Sequence, residues 1–187
     1  MGKTLGVLSG VGHLPVDVVR GAKKAGYRTV AVALVPGTHE DLEKEADAFY
    51  AINIGKVGKI FKTLKQEGVD EVTMIGKVTK EILYSGGILV PDWQAIKILM
   101  SLPDRHDDTI MNALVAKLED MGIHVMDQTL FLTDLMPQEG VLSKRQPTPE
   151  EWEDMKYGFA MAKKIGGLDI GQTVVVKNKA IMAVEAI

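Results

Sequence analysis

Three short stretches of this 187-residue chain carry groups suited to chemistry on an anion. Ser9-Gly10-Val11-Gly12-His13 lies between an apolar run and Leu14-Pro15, Gly76-Lys77 follows a second apolar run, and Asp107-Asp108 stand next to His106. Glycines between a strand and a helix let backbone N–H groups converge on phosphate oxygens. A lysine at the carboxyl end of a strand brings a cation to the same charge. Paired aspartates have three uses: they cap a helix, bind Mg²⁺ directly or through water, or orient a ligand hydroxyl. The glycine spacing completes neither G-x-x-x-x-G-K-[ST] nor G-x-G-x-x-G, so phosphate cradle and plain tight turn are both open readings. His13, His39, His106 and His124 lack zinc-ligand spacing and read as surface or capping residues.

The elements that must hold these residues follow from periodicity. Leu5 to Leu8 is a buried strand, and Pro15 suits the first turn of a helix that runs through Val16, Val18, Val19, Ala22 and Ala25 to a stop at Gly26. A second strand spans Thr29 to Leu34, and the turn Pro36-Gly37-Thr38 leads into a short acidic helix, His39 to Ala46, with Thr38 as its cap. Phe49 to Ile54 is a third strand. Gly55 to Lys65 places Val57, Ile60, Phe61 and Leu64 on one helical face, with Lys56, Lys59, Lys62 and Lys65 interleaved, before Gly68. Those lysines are a solvated face or an anion site. Glu71 to Ile75 is a fourth strand.

This alternation predicts an α/β fold: a Rossmann-like, open, mostly parallel sheet with helices on both faces. Ligands of such sheets bind beyond the carboxyl ends of the strands, where Ser9 to His13 and Gly76-Lys77 both fall. Leu34-Val35-Pro36 ends the second strand where a dinucleotide enzyme carries a ribose-binding carboxylate, which argues against a dehydrogenase.

Further on, helices are expected from Asp92 to Met100 and from Thr109 to Met121, the second capped by Asp107 or Asp108 and stopped at Gly122. A fifth strand covers Ile123 to Met126, and a helical turn lies around Leu130 to Leu135. Prolines and polar residues mark 136–147 as a linker. Thr148 and Glu151 form a capping-box signature for a helix reaching Ile165, followed by a hairpin of Gly171–Val176 and Ala180–Val184. The expected domains are therefore 1–135, nucleotide-binding, and 148–187, the truncated start of a second α/β domain, because one helix and one hairpin cannot enclose a core.

Composition narrows the function classes. At 46% hydrophobic residues the chain can bury one core, or one core and part of a second. Its formal charge of −3, from 22 basic and 25 acidic residues, gives no electrostatic basis for binding nucleic acid or a strongly anionic membrane surface. Without cysteine there is no disulfide scaffold, thiolate zinc site or thiol nucleophile. No apolar run approaches the length of a membrane span or a signal peptide, so a cytoplasmic protein is expected. Ten methionines fill core space or line an adaptable lipid-facing surface.

Six segments in order carry a family likeness: Ser9 to Pro15, Met74 to Val78, Asp107-Asp108-Thr109, Asp134 to Leu142, Leu168 to Val176 and Ala183 to Ile187. Together they resemble the metal-dependent UDP-2,3-diacylglucosamine pyrophosphatase family of lipid A (lipopolysaccharide) biosynthesis, over nearly the whole chain. The resemblance implies a hydrolase that splits the pyrophosphate of UDP-2,3-diacylglucosamine into UMP and 2,3-diacylglucosamine 1-phosphate, with Mg²⁺ or another divalent cation. It also implies a nucleotide-sugar site drawn from Ser9, Gly10, Gly12, His13, Gly76, Lys77, Asp107 and Asp108, with Gln172 and Glu185 added by the second domain. The lipid substrate implies peripheral contact with the inner membrane, and the apolar surface of an unfinished domain invites a homodimer. Family members continue past Val184-Glu185-Ala186-Ile187 into a Glu-Gly-Thr-Asp segment whose aspartate is the expected catalytic carboxylate. The expectation is therefore hydrolysis by the intact protein and ligand binding by these 187 residues. The competing readings are a non-catalytic nucleotide or nucleotide-sugar module and a plain structural domain.

Overall fold

The computed structural model describes residues 2–37, 39–78, 90–103, 107–168 and 170–186. The chain divides into two compact units, Met1–Met136 and Pro137–Ile187.

In the first unit five strands form one parallel sheet: β1 (Thr4–Ser9), β2 (Arg28–Ala33), β3 (Ala48–Ala51), β4 (Glu71–Ile75) and β5 (His124–Val125), in the order β3-β2-β1-β4-β5. The order reverses at β1, whose two neighbours are β2 and β4, as expected of a doubly wound sheet. The inner strands β1, β2 and β4 are buried along almost their whole length because both faces are covered. On one face α1 (Leu14–Lys24) and α2 (Glu40–Glu45) bury Val16, Val19, Ala22 and Leu42 against Leu5, Val7 and Ala31. On the other, α3 (Val57–Gln66) packs Ile60, Phe61 and Leu64 on Leu8, Val30, Val32 and Val72. The same cluster takes Ile98 of α4 (Trp93–Ser101) and Leu118 of α5 (Asp107–Asp120). Helices α1, α3 and α5 end shortly before Gly26, Gly68 and Gly122, each at positive φ.

Most boundaries fall within two residues of the sequence reading, and three of the differences have a visible cause. The third strand begins at Ala48 and stops at Ala51 rather than running from Phe49 to Ile54. The Asn53 carboxamide oxygen accepts the Gly55 N–H at 2.9 Å and turns the chain, while Ile52 and Ile54 keep the apolar character of core residues. The fifth strand is His124–Val125: the Ile123 N–H is drawn back to the Leu118 carbonyl, 3.0 Å away, to close α5, and beyond Val125 a single bond from Met126 N–H to Val72 O, 2.8 Å, continues toward β4. Helix α5 begins at Asp107, so Asp107 and Asp108 are its first two residues rather than a cap before Thr109. Their side chains lie outside the described residues, as do His106 and the proposed cap Thr38.

The second unit consists of α6 (Pro149–Gly167) and an antiparallel hairpin, β6 (Gly171–Lys177) and β7 (Ala180–Ala186). Thr148 and Glu151 make both bonds of the capping box, and Arg145 holds the Glu151 carboxylate through two nitrogens at 2.8 Å. Residues 137–147 thus belong to this unit, although they form neither helix nor strand. The hairpin turn is Asn178-Lys179, both at positive φ, and the Asp154 carboxylate on α6 accepts their two N–H groups at 2.8 and 2.6 Å. Trp152, Met155, Phe159 and Met182 are exposed on this unit.

Candidate functional site

The loops after β1 and β4 are sewn together. Gly10 N–H donates to Ile75 O at 2.9 Å, Val11 N–H to Lys77 O at 2.9 Å, and Lys77 N–H to Val11 O at 2.8 Å. The glycines make this approach possible: a Cβ on Gly10 would lie 2.5 Å from the Lys77 carbonyl oxygen. One on Gly76, which has φ +98°, would lie 2.9 Å from the Gly10 carbonyl carbon. Ser9 is fully buried beneath the seam, and its hydroxyl donates to the Gly10 carbonyl at 2.8 Å. Ser9, Gly10 and Gly76 therefore build the floor of the site.

Above the floor the backbone is open. Gly12 has φ +118° with nothing within 4 Å of a built Cβ, and no described residue accepts from the N–H groups of Gly12, His13 or Leu14. These amides begin α1, where the helix dipole is positive, and Pro15 in the first turn has no N–H to leave unpaired. His13 is exposed, with Nε2 3.5 Å from Asp17 Oδ1. Beside them opens a cleft of about 560 Å³, bordered by Gly12, Gly76 and Lys77. Its other wall was missed by sequence reasoning: Gln128, Thr129, Leu132, Leu135 and Met136. Asp127 holds that wall's shape by accepting both the N–H and the hydroxyl of Thr129 at 2.7 Å, which also keeps its carboxyl below the ordinary aspartate range. The available signal was position, since this segment follows β5 at the carboxyl edge of the sheet, as the two glycine loops follow β1 and β4.

Of the predicted site residues, the first unit gathers Ser9, Gly10, Gly12, Gly76 and Lys77 into one place. Gln172 and Glu185 belong to the second unit, where Gln172 lines a groove of about 410 Å³ with Asp154, Met155 and Phe159. Glu185 accepts from the Thr173 hydroxyl at 2.7 Å. Among the described residues no three His, Asp or Glu side chains come together as a metal-binding group, so the implied divalent cation finds no fitting donor set there. Nor is any described helix long and apolar enough to cross a membrane.

Residues 4–135 match the LpxI N-terminal domain family and residues 138–187 the LpxI C-terminal domain family. The UDP-2,3-diacylglucosamine pyrophosphatase LpxI of Caulobacter vibrioides is 31% identical over 187 residues, a match covering 98% of this chain and 65% of that relative. The chain thus spans just under two thirds of the length of the curated relative it matches. Among solved structures, similarity extends to the ADP complex of N5-carboxyaminoimidazole ribonucleotide synthetase, at 17% identity, 70% of this chain, 25% of that one and a TM-score of 0.39. Phosphoribosylglycinamide synthetase from Anaerococcus prevotii matches at 23% identity, 40% of this chain, 18% of that one and a TM-score of 0.33.

Proposed function

Because this chain belongs to the LpxI family in both its N-terminal and C-terminal domains, we propose that its intact protein hydrolyses the pyrophosphate of UDP-2,3-diacylglucosamine to UMP and 2,3-diacylglucosamine 1-phosphate. The observation that carries the reading is the junction of β1 and β4. There, amides at the start of α1 that pair with no described residue, together with Lys77, border one cleft beside the point where the strand order reverses. Backbone donors and a lysine suit the diphosphate of a nucleotide sugar, which carries its charge on oxygens that accept from several directions. In this reading Gly12 and His13 meet the nucleotide or diphosphate, Lys77 balances its charge, and Gln128 and Thr129 offer polar contacts on the opposite wall. The cleft has the size of a small-ligand site, so the two acyl chains need apolar surface beyond it.

Water is the nucleophile: its oxygen forms the new bond to phosphorus as the bridging P–O bond breaks. A divalent cation would supply charge neutralisation when bound, but the described residues show no donor set for it. The part of the reaction assigned to this chain is therefore to bind and orient the substrate, with Gln172 and Glu185 offered by the second domain. A homodimer formed through the exposed Met155 and Phe159 belongs to the same proposal, and light scattering reads it.

Incubation of the full-length gene product with UDP-2,3-diacylglucosamine, with and without Mg²⁺, is expected to release UMP. No UMP under either condition refutes the hydrolytic reading. The open amides and Lys77 at the β1–β4 junction also suit one alternative for the chain on its own, a nucleotide-sugar-binding module without chemistry. UDP binding to the 187 residues without any turnover by the full-length protein would establish that alternative.

A further inference from the structure

We propose that the outer faces of α3 and α4 form a docking surface for an anionic phospholipid bilayer. The inference goes beyond the hydrolytic reading and rests on the two helices. Helix α3 turns Ile60, Phe61 and Leu64 into the core and leaves Lys59, Lys62 and Lys65 exposed on the opposite side. At 1.5 Å per residue those three lysines lie within about 9 Å along the axis, which is within about one Debye length at physiological salt. They act on a charged surface together.

Helix α4 stands against the start of α3. Asp92 N–H donates to Gly55 O at 2.9 Å, and the Asp92 carboxylate accepts the Gly58 N–H at 2.8 Å and the Ala95 N–H at 2.9 Å. That carboxylate is the only acidic group in residues 55–66 and 90–101, which also carry five lysines, and both of its oxygens are occupied by backbone donors. None of the five lysines has an ion-pair partner among the described residues. In a chain with a net charge of −3 this is a local excess of positive charge.

The apolar component lies on α4. Trp93, Lys97 and Met100 follow one another at i, i+4 and i+7 along one stripe, and Trp93 is 76% exposed and Met100 81%. Ala95 and Ile98 face inward. A tryptophan and a methionine held out of the core beside lysines match the interfacial layer of a bilayer, where the indole sits at headgroup depth and ammonium groups meet lipid phosphates. An acidic protein or a nucleic acid would satisfy the lysines and leave Trp93 and Met100 without a role. Both helices also begin at the carboxyl edge of the sheet, since the chain entering α3 pairs Ile54 N–H with Leu34 O just beyond β2. The docking surface and the cleft therefore share an edge of the first unit.

The test uses the full chain and sonicated vesicles without any UDP-sugar, either phosphatidylglycerol-rich or pure phosphatidylcholine. The protein is expected to sediment with the first, to do so less as salt is raised, and not to sediment with the second. The triple variant Lys59→Glu, Lys62→Glu, Lys65→Glu should weaken partitioning by at least roughly a hundredfold, at about fivefold per lysine, with an unchanged melting temperature. In a Trp152→Phe background Trp93 emission should shift to the blue on binding, and Trp93→Ala should bind several-fold more weakly. Absence of binding, equal binding to neutral vesicles, an unaffected triple variant or an unmoved Trp93 spectrum each overturns the proposal. Tighter binding to a DNA duplex than to anionic vesicles also overturns it and assigns the surface to nucleic acid. UMP release from detergent-dispersed substrate is read separately, so failure on vesicles is distinguishable from failure of the hydrolytic reading.

Discussion

Gly10→Ala tests whether the seam between the β1 and β4 loops is the foundation of the site. The new methyl group would start 2.5 Å from Lys77 O, 2.7 Å from Gly76 C and 2.8 Å from Lys77 C. All three are backbone atoms, which cannot rotate away as a side-chain tip can. Ordinary contact requires nearly 1 Å more, and the protein has two ways to supply it. Keeping the seam costs about 1–3 kcal/mol of overpacking. Parting the loops breaks the paired Val11–Lys77 hydrogen bonds, at about 1 kcal/mol each. Either route costs about 1–3 kcal/mol, centred near 2, a shift of roughly 1 M in the urea midpoint for a small domain. Trp93 fluorescence in a Trp152→Phe background follows the first unit alone. Gly12→Ala has no neighbour to meet and loses only what its φ of +118° imposes, about 1–2 kcal/mol. Combining Gly10→Ala with Gly76→Ala should cost less than the sum, because a parted seam relieves both methyl groups. A Gly10→Ala midpoint within about 0.5 kcal/mol of wild type, or a strictly additive double variant, would refute this account.

Lys77→Ala should weaken UDP binding by about tenfold or more while leaving the urea midpoint within about 0.5 kcal/mol, since the side chain is exposed and its backbone makes the seam; isothermal titration checks the first half. Glu71 is held below the ordinary glutamate range chiefly by the Lys3 ammonium and also by the Tyr27 hydroxyl, with Oε2 buried and unpartnered. Its stabilisation is therefore present above the unfolded pKa and lost as pH falls through the folded one, so Glu71→Gln should lose stability less steeply than wild type in urea melts between pH 7 and pH 3. Glu151 titrates at about 2, lowered first by Arg145 and then by the Thr148 N–H, and in an NMR titration Arg145→Ala should move it up toward the ordinary glutamate value.

The extent of legibility follows from which forces are local. The strand β4 and the capping box at Thr148 were readable residue by residue, because a short apolar run bounded by turn signals and a side-chain cap both declare themselves within a few positions. The ends of β3 and β5 were not, since apolar character and single N–H bonds to the neighbouring strand continue through Ile54 (to Leu34 O) and Met126 (to Val72 O), while the strands themselves stop at Ala51 and Val125. Periodicity reports burial rather than pairing. The glycine loops were legible as candidates, but Gly10 and Gly76 serve by excluding side chains from a contact 66 positions apart in sequence, which no local pattern encodes. Gln128 and Thr129 escaped notice because their residue types are common in turns, and only the place of β5 beside β4 brings them to the cleft.

Topology also sets how much weight each shared location can bear. In a parallel sheet every strand-to-helix connection emerges at the carboxyl edge, so Gly12, Lys77, Thr129 and the starts of α3 and α4 share that edge whatever the protein does. Their common edge is a consequence of the fold and is weak evidence of function. Close approach is different. Two peptide backbones brought to a separation that admits no Cβ on either side, with three hydrogen bonds across the contact, restrict both positions to glycine. A plain turn would meet the same connectivity with ordinary residues and a looser contact. What the tight contact achieves is to fix the Lys77 backbone near the amides of Gly12 and His13, which pair with no described residue, so that under the proposed function a diphosphate would meet donors already in place. The decisive comparison is therefore affinity against stability across Gly10→Ala, Gly12→Ala and Lys77→Ala. If UDP affinity falls in all three, including Lys77→Ala with its unaltered fold, the seam is the base of a ligand site; if it tracks stability alone, the glycines are only packing.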